Sequence, residues 1–456
     1  MHKVKTKKTK ANSQIEMAVV NPYAAGIDVS DKEHVVAVPE GVAEERVRNF
    51  GTMTCDLVAI IEWLNQCEID TVAMESTGVY WKPLFSMLIR NGFEVYLVNA
   101  SHVKNVTGRK TDENDAMWIQ KLHSCGLLKS SYLPEDEQEG LRTLVRYRRT
   151  LVQDSSRFVN RIQKSLELMN IKFHTVISDI TGKTGTAVIE AIIRGERNAV
   201  NFLPYIGKRI KADKERIIKS LEGNWQDEHL FTLRECYEMY QVYRQRIAIC
   251  DSEIEKRLQQ YEAKRNEGVI RSAENKSHPK GIKKKKDKNH PRFDVRGYLE
   301  RIHGVDVLAM YGLSETGGLE LLAEAGTDLS KWKNEKHFVS WLNFCPNNKI
   351  SGGKLISSQL LKKKPNPASQ AFRQAANSVQ KSNHWLGDYF RRMKAKGGNK
   401  YAIIATANKL ATIYYKIVRF KEEFKPMELE LYQQKYKQAK IAYLERKLSQ
   451  LKKEVA

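Results

Sequence analysis

The sequence predicts a mixed α/β domain, then a long helical arm, then a mainly α-helical C-terminal domain. Three observations carry this. Between about residues 20 and 130, short apolar runs of strand length alternate with stretches of helical apolar spacing. From about 135 to 270, two long polar stretches carry apolar residues at three- and four-residue steps. A lysine-rich break, "RSAENKSHPKGIKKKKDKNHPR", then precedes a third set of helical patterns.

The elements of the first region follow in order. "AAGIDVS" (Ala24 to Ser30) is a short apolar strand ending on an acid, and "HVVAVP" (His34 to Pro39) returns after a tight polar turn, which predicts a hairpin. A third strand is expected near Val47 to Phe50. "DLVAIIEWLNQC" has Leu57, Ile60, Ile61 and Leu64 on one helical face. "DTVAMES" is a strand ending on Glu75, "YWKPLFSMLIRNG" a helix stopped by Asn-Gly, and "EVYLVN" a further strand. "GRKTDENDAMWIQKL" then opens a helix running to about Gly126. Asp28 and Glu75 fall near the C-terminal ends of two strands that read as parallel neighbours, the edge where open α/β sheets build their sites.

In the second region Leu141, Leu144, Leu151, Phe158, Ile162 and Met169 form one stripe. Leu230, Leu233, Tyr237, Tyr240, Ile247, Ile254, Leu258 and Tyr261 form another, with Arg148 and Arg244 at seam positions. The spacing fits an antiparallel coiled-coil hairpin or oligomerisation arm, and equally fits ordinary helices on a globular body. In the third region "IHGV" sits between two helical patterns, a helix-hairpin-helix-like turn or a plain one. Irregular sequence around "SGGK" follows, then helices from about Ser369 to Val379 and Tyr401 to Phe424, and a charged helical tail. The expected boundaries are a basic tail at 1–20, the α/β domain at 21–132, the arm at 133–270, the linker at 271–294, the C-terminal domain at 295–425 and the tail at 426–456.

The 456 residues suffice for two or three domains. Lys and Arg number 77 against 54 Asp and Glu, a net charge of +23, which points to a polyanionic partner. No apolar run reaches bilayer length, so a membrane partner is not expected. The start, "MHKVKTKKTKANSQ", lacks the apolar segment of a secretory signal. Six scattered cysteines form no C-x-x-C pair, which suggests reduced thiols in a cytosolic protein and no structural zinc.

Asp112 and Asp115 stand three apart at a helix start, just after Arg109 and Lys110. Acids there complement the macrodipole; together with Asp28 and Glu75 they would form four carboxylates that repel unless they share a hard cation, for which Mg²⁺ is suited. Ser351 precedes Gly352, Gly353 and Lys354, where the backbone can approach a phosphate that Lys354 neutralises. Spacing alone favours a simple turn, since no His or Asp nearby marks an activating base. Arg142, Arg146, Arg148 and Arg149 crowd one helical stretch beside Tyr147. They suit structured RNA, or they pair with acids of the neighbouring helix such as Glu253 and Glu255.

Taken together, "GIDVS", "MESTGVYW", "KTDENDA" and the later "HGV…AE…SGGK" resemble the DEDD-type insertion-sequence transposases, in order and over most of the chain. The resemblance implies an RNase H-like (RuvC-like) N-terminal domain and a C-terminal transposase domain. It puts the family's acids on Asp28, Glu75, Asp112 and Asp115 with Mg²⁺, and its serine nucleophile on Ser351, with Ser357 and Ser358 close by. It further implies DNA as substrate, a structured guide RNA, and a phosphoserine intermediate. Acids of one protomer would be paired with the serine of another in a dimer or tetramer, in a prokaryotic cytoplasm at the nucleoid. The tail beyond about Met427 has no counterpart in the resemblance. The rival expectations are a metal-dependent junction-resolving nuclease and a non-catalytic nucleic-acid-binding scaffold.

Overall fold

A short strand whose side chains alternate between two packed faces starts the first unit. In β1 (Ala24–Val29), Ala25, Ile27 and Val29 enter one core while Gly26 and Asp28 face the other side. The computed structural model describes residues 18–98, 112–131, 136–266, 288–360 and 366–455. Most of the basic tail, Arg109, Lys110 and most of the lysine-rich linker lie outside them. The chain divides into two units, Met1–Leu133 and Pro134–Ala456.

In the first unit β2 (His34–Ala37) and β3 (Val47–Phe50) pair antiparallel beside β1, while β4 (Thr71–Glu75) and β5 (Glu94–Val98) add in parallel on its other edge. The order across the sheet is β3-β2-β1-β4-β5. Parallel neighbours need a crossover, and α1 (Thr54–Gln66) and α2 (Trp81–Arg90) supply it. Both pack on one face, where Ile27, Val36, Ile60, Leu64, Met74 and Leu84 are fully enclosed. On the opposite face lies α3 (Asp112–Ser124), whose Ala116 and Ile119 rest on Val35, Ala37, Ala73 and Val98.

The second unit begins with α4 (Asp136–Leu168), which lies antiparallel to α7 (Asp227–Asn266). The direction follows from the pairs Arg148 with Asp251, Phe158 with Tyr243, and Ile162 beside Cys236. The two stripes read from the sequence are therefore the two sides of one helical hairpin. Between its legs, α5 (Lys183–Ile193) and α6 (Lys214–Leu221) close a core around Phe173, Ile189, Phe202 and Leu233. Then follow α8 (Val295–His303), ended by Gly304 in the left-handed region, α9 (Glu315–Ala325) and α10 (Glu335–Trp341).

The "SGGK" stretch, read as irregular, is a β-hairpin of β6 (Asn347–Ser351) and β7 (Lys354–Gln359). After it come α11 (Pro367–Ser378), α12 (Trp385–Phe420) and α13 (Leu429–Val455). The helix expected from Tyr401 is only the second half of α12, which kinks at Gly397 and Gly398. Phe338, Phe344, Phe372 and Tyr414 form the aromatic centre of this region.

Candidate active site

The parallel register of β1 and β4 runs from Ala24 opposite Thr71 to Ile27 opposite Met74. One step further sets Asp28 opposite Glu75, on strands about 4.8 Å apart. Both lie on the α3 side of the sheet. Two residues before Asp28, Gly26 faces α3 so closely that a Cβ there would stand 2.2 Å from the Gln120 nitrogen and 2.5 Å from the Ala116 carbonyl. Two residues before Glu75, Ala73 packs with Ile119.

Helix α3 runs antiparallel to β1. Gln120 Nε2 donates to the Ala24 carbonyl (3.1 Å), and the Val20 and Asn21 amides donate to the Ser124 carbonyl. Moving from Gly26 to Asp28 covers about 6.6 Å of strand, or roughly four to five residues of helix back towards its start. This brings Asp28 level with the first turn of α3. Asp115 is there, half-buried, four residues before Ile119 on the sheet-facing side. Asp112 is the first residue of α3, four before Ala116; its side chain lies outside those described. Asp28 and Glu75 are also half-buried, and Glu75 Oε1 accepts from Thr77 Oγ1 at 3.1 Å. Among the described residues, which include the side chains of Asp28, Glu75 and Asp115 but not that of Asp112, no three His, Cys, Asp or Glu stand together as a ready metal cage. The donor set is all carboxylate, the chemistry that Mg²⁺ prefers.

Residues that the sequence reading passed over hold this arrangement. Buried Gln120 donates to both Ala24 and Ser124, and accepts from Arg46 Nη2 at 3.1 Å, while Arg46 Nε donates to the Val38 carbonyl. These bonds fix the rotation and height of α3 on the sheet. A polar residue on an otherwise apolar helix face, one turn after Ala116, was the available signal. At the other end of α3, His123 meets Thr71 Oγ1 at 2.9 Å, and burial pushes its imidazole down to about 4.

Ser351 and Lys354 face each other across the hairpin turn, both exposed. Gly352 and Gly353 take φ of 54° and 73°, the left-handed geometry of a two-residue turn. Arg109 and Lys110 lie outside the described residues.

The arginine row is engaged within the chain. Arg146 pairs with Glu324 through two hydrogen bonds (2.6 and 2.8 Å), and Arg142 reaches the same carboxylate at 3.1 Å as well as Glu139. Arg149 stands 3.9 Å from Glu320. Arg148, only 4% exposed, pairs with Asp251 and donates to the Asn289 carbonyl. The partners are thus Glu139, Glu320, Glu324 and Asp251; the neighbouring helix α7 supplies Asp251 rather than Glu253 or Glu255. Glu320 is buried, and desolvation outweighs Arg149 and lifts its carboxyl to about 7.

Asp28 and Glu75 thus stand at the ends of adjacent parallel strands, level with the start of α3. Comparison with protein families supplies the class of protein. A transposase model of the DEDD, IS110 type matches residues 25–171, and the model of the transposase IS116/IS110/IS902 family matches residues 306–391. The chain belongs to the IS110 family of DEDD transposases: it is an enzyme that cleaves and rejoins DNA. A comparison with curated proteins found no match. No helix among the described residues is long and apolar enough to cross a membrane.

Proposed function

We propose that this transposase excises and inserts its element by Mg²⁺-assisted strand transfer, with Asp28, Glu75, Asp112 and Asp115 as the metal-holding acids and Ser351 as the nucleophile. The observation that supports this most is the strand register: it sets Asp28 beside Glu75, level with the start of α3. Were these four carboxylates to close on one sheet end, their mutual repulsion would call for a bound cation. The sheet order β3-β2-β1-β4-β5, with its first two pairings antiparallel and its last two parallel, supports an RNase H-like reading of this domain.

When bound, Mg²⁺ would polarise the scissile phosphate and offset its developing charge. Ser351 Oγ attacks phosphorus, the Oγ–P bond forms, and the bond to the departing strand oxygen breaks. The phosphoserine ester retains the phosphodiester's bond energy, so a hydroxyl from a second strand displaces Ser351 with no nucleotide cofactor. Lys354, across the turn, neutralises the phosphate. Acids and serine belong to different units of the chain, which suits a composite site shared between protomers of a dimer or tetramer. The charge of +23 suits a structured guide RNA as well as DNA.

Denaturing gels of the protein with DNA from the element's own ends test the reading. A covalent adduct that maps to Ser351, and is absent from Ser351→Ala and Asp115→Asn, is expected. Cleavage that persists in Ser351→Ala would instead make the chain a water-using nuclease in which Ser351 only shapes the turn.

A further inference from the structure

The hairpin that carries Ser351 exposes three large apolar side chains: Ile350 is 66% exposed, Leu355 59% and Ile356 68%. Ile350 and Leu355 are paired across the strands, whereas Ser351 and Lys354 form the next pair and point to the opposite face. Ile356 is the extra residue where the register shifts, so it forms a bulge beside that pair. The tip is open: a Cβ on Gly352 or Gly353 would meet nothing within 4 Å. Such a hairpin buries almost nothing of its own, and a two-stranded ribbon of this kind is marginal alone.

Charge identifies what fits the apolar tip. No Asp or Glu occurs between Glu335 and Asp388, while that stretch carries Lys336, Lys349, Lys354, Arg373 and Lys381, together with the run from Lys362 to Lys364. In sequence, the charges that flank the apolar patch over this stretch are cations alone, which complements a polyanion. Duplex DNA meets phosphates on both sides and a stack of apolar base faces between them. A two-stranded ribbon enters a groove, and apolar residues at its tip separate base steps.

We propose that Ile350 and Leu355, with Ile356 beside them, are a wedge that the hairpin inserts between bases of duplex DNA, unstacking the step whose phosphate Ser351 receives. The inference rests on the reading of Ser351 as nucleophile. Its consequence is that the DNA is already opened at the attacked step before any bond is broken, with the apolar face holding the bases apart and the Ser351/Lys354 face turned to the backbone.

The probe is duplex DNA spanning the end of the element, with 2-aminopurine placed at successive steps, bound by the full chain carrying Ser351→Ala so that no strand is cut. A rise in fluorescence confined to one step is expected. It should be lost when Ile350→Ser and Leu355→Ser are added, with thermal melting of the protein unchanged because both side chains are exposed. A fluorescence rise that survives the double substitution overturns the wedge. So does loss of self-association by light scattering in the double variant, which would assign the apolar tip to a second protein surface. The two readings separate cleanly: an adduct on Ser351 with flat fluorescence defeats the wedge alone, and unstacking without an adduct defeats the nucleophile alone.

Discussion

Gly26 sets how close α3 comes to β1, and through that the height of the acids. Its place opposite the Gln120 nitrogen and the Ala116 carbonyl leaves no room for a methyl group, and both neighbours are helix backbone that cannot swing aside. Gly26→Ala must therefore lift α3. Overpacking of this kind costs about 1 to 3 kcal/mol, read as a lowered urea midpoint, and strand transfer should fall further than stability explains because the first turn of α3 moves off the strand ends. A variant as active and stable as the parent would refute the close approach. Arg148 poses the opposite problem, a buried cation needing its partner. Asp251→Ala leaves the guanidinium its hydrogen bond to the Asn289 carbonyl but no carboxylate in contact among the described residues, and breaking a buried pair on one side costs about 3 to 5 kcal/mol. Denaturant unfolding of that variant at neutral pH should show the loss, with no requirement for nucleic acid.

Contacts between whole elements carry a different signature, and the α4–α9 contact has one that depends on pH. Glu320 of α9 faces Arg149 and, at longer range, Arg148 and Glu324; burial raises its carboxyl from 4.5 to about 7. The fold thus favours the protonated acid. That contribution is complete below about 4.5 and is lost as pH rises through about 7. The shift corresponds to about 3 kcal/mol. Glu320→Gln removes the dependence: the variant's unfolding free energy relative to the parent should climb between pH 5 and pH 8, and parallel curves would rule this out. None of this was legible in the sequence, because Glu320 and Glu324 lie far along the chain from the arginines and no periodicity links such distant residues. The strands around Asp28 and Glu75 were legible because alternating burial leaves a period of two, and the direction of β1 and β4 followed from the helix between them. The hairpin at Ser351 was not, since both of its faces are exposed and an unburied strand has no apolar pattern to show.

Across the whole molecule, the excess of cations is set against the acids already paired inside it. The net charge is +23, yet Arg142, Arg146, Arg148 and Arg149 are drawn to Glu324, Asp251 and Glu320. The acid-free stretch from Lys336 to Gly387 has no such local counter-charges in sequence. Cations free of acids condense phosphates and release counterions, so affinity for duplex DNA should fall with a log–log salt slope of about −0.9 for each phosphate neutralised. Replacing Lys349, Lys354 and the three lysines from Lys362 to Lys364 by Gln should flatten that slope, by up to roughly 4 to 5 if each contacts a phosphate. Arg142→Gln with Arg146→Gln should leave the slope nearly unchanged while lowering stability, because those guanidiniums neutralise Glu324 and not a phosphate. Salt titrations of both variants against one duplex decide the matter. If the arginine pair flattens the slope as much as the lysines do, the ion pairs with Glu324 open on binding and the helical arm is itself a nucleic-acid surface.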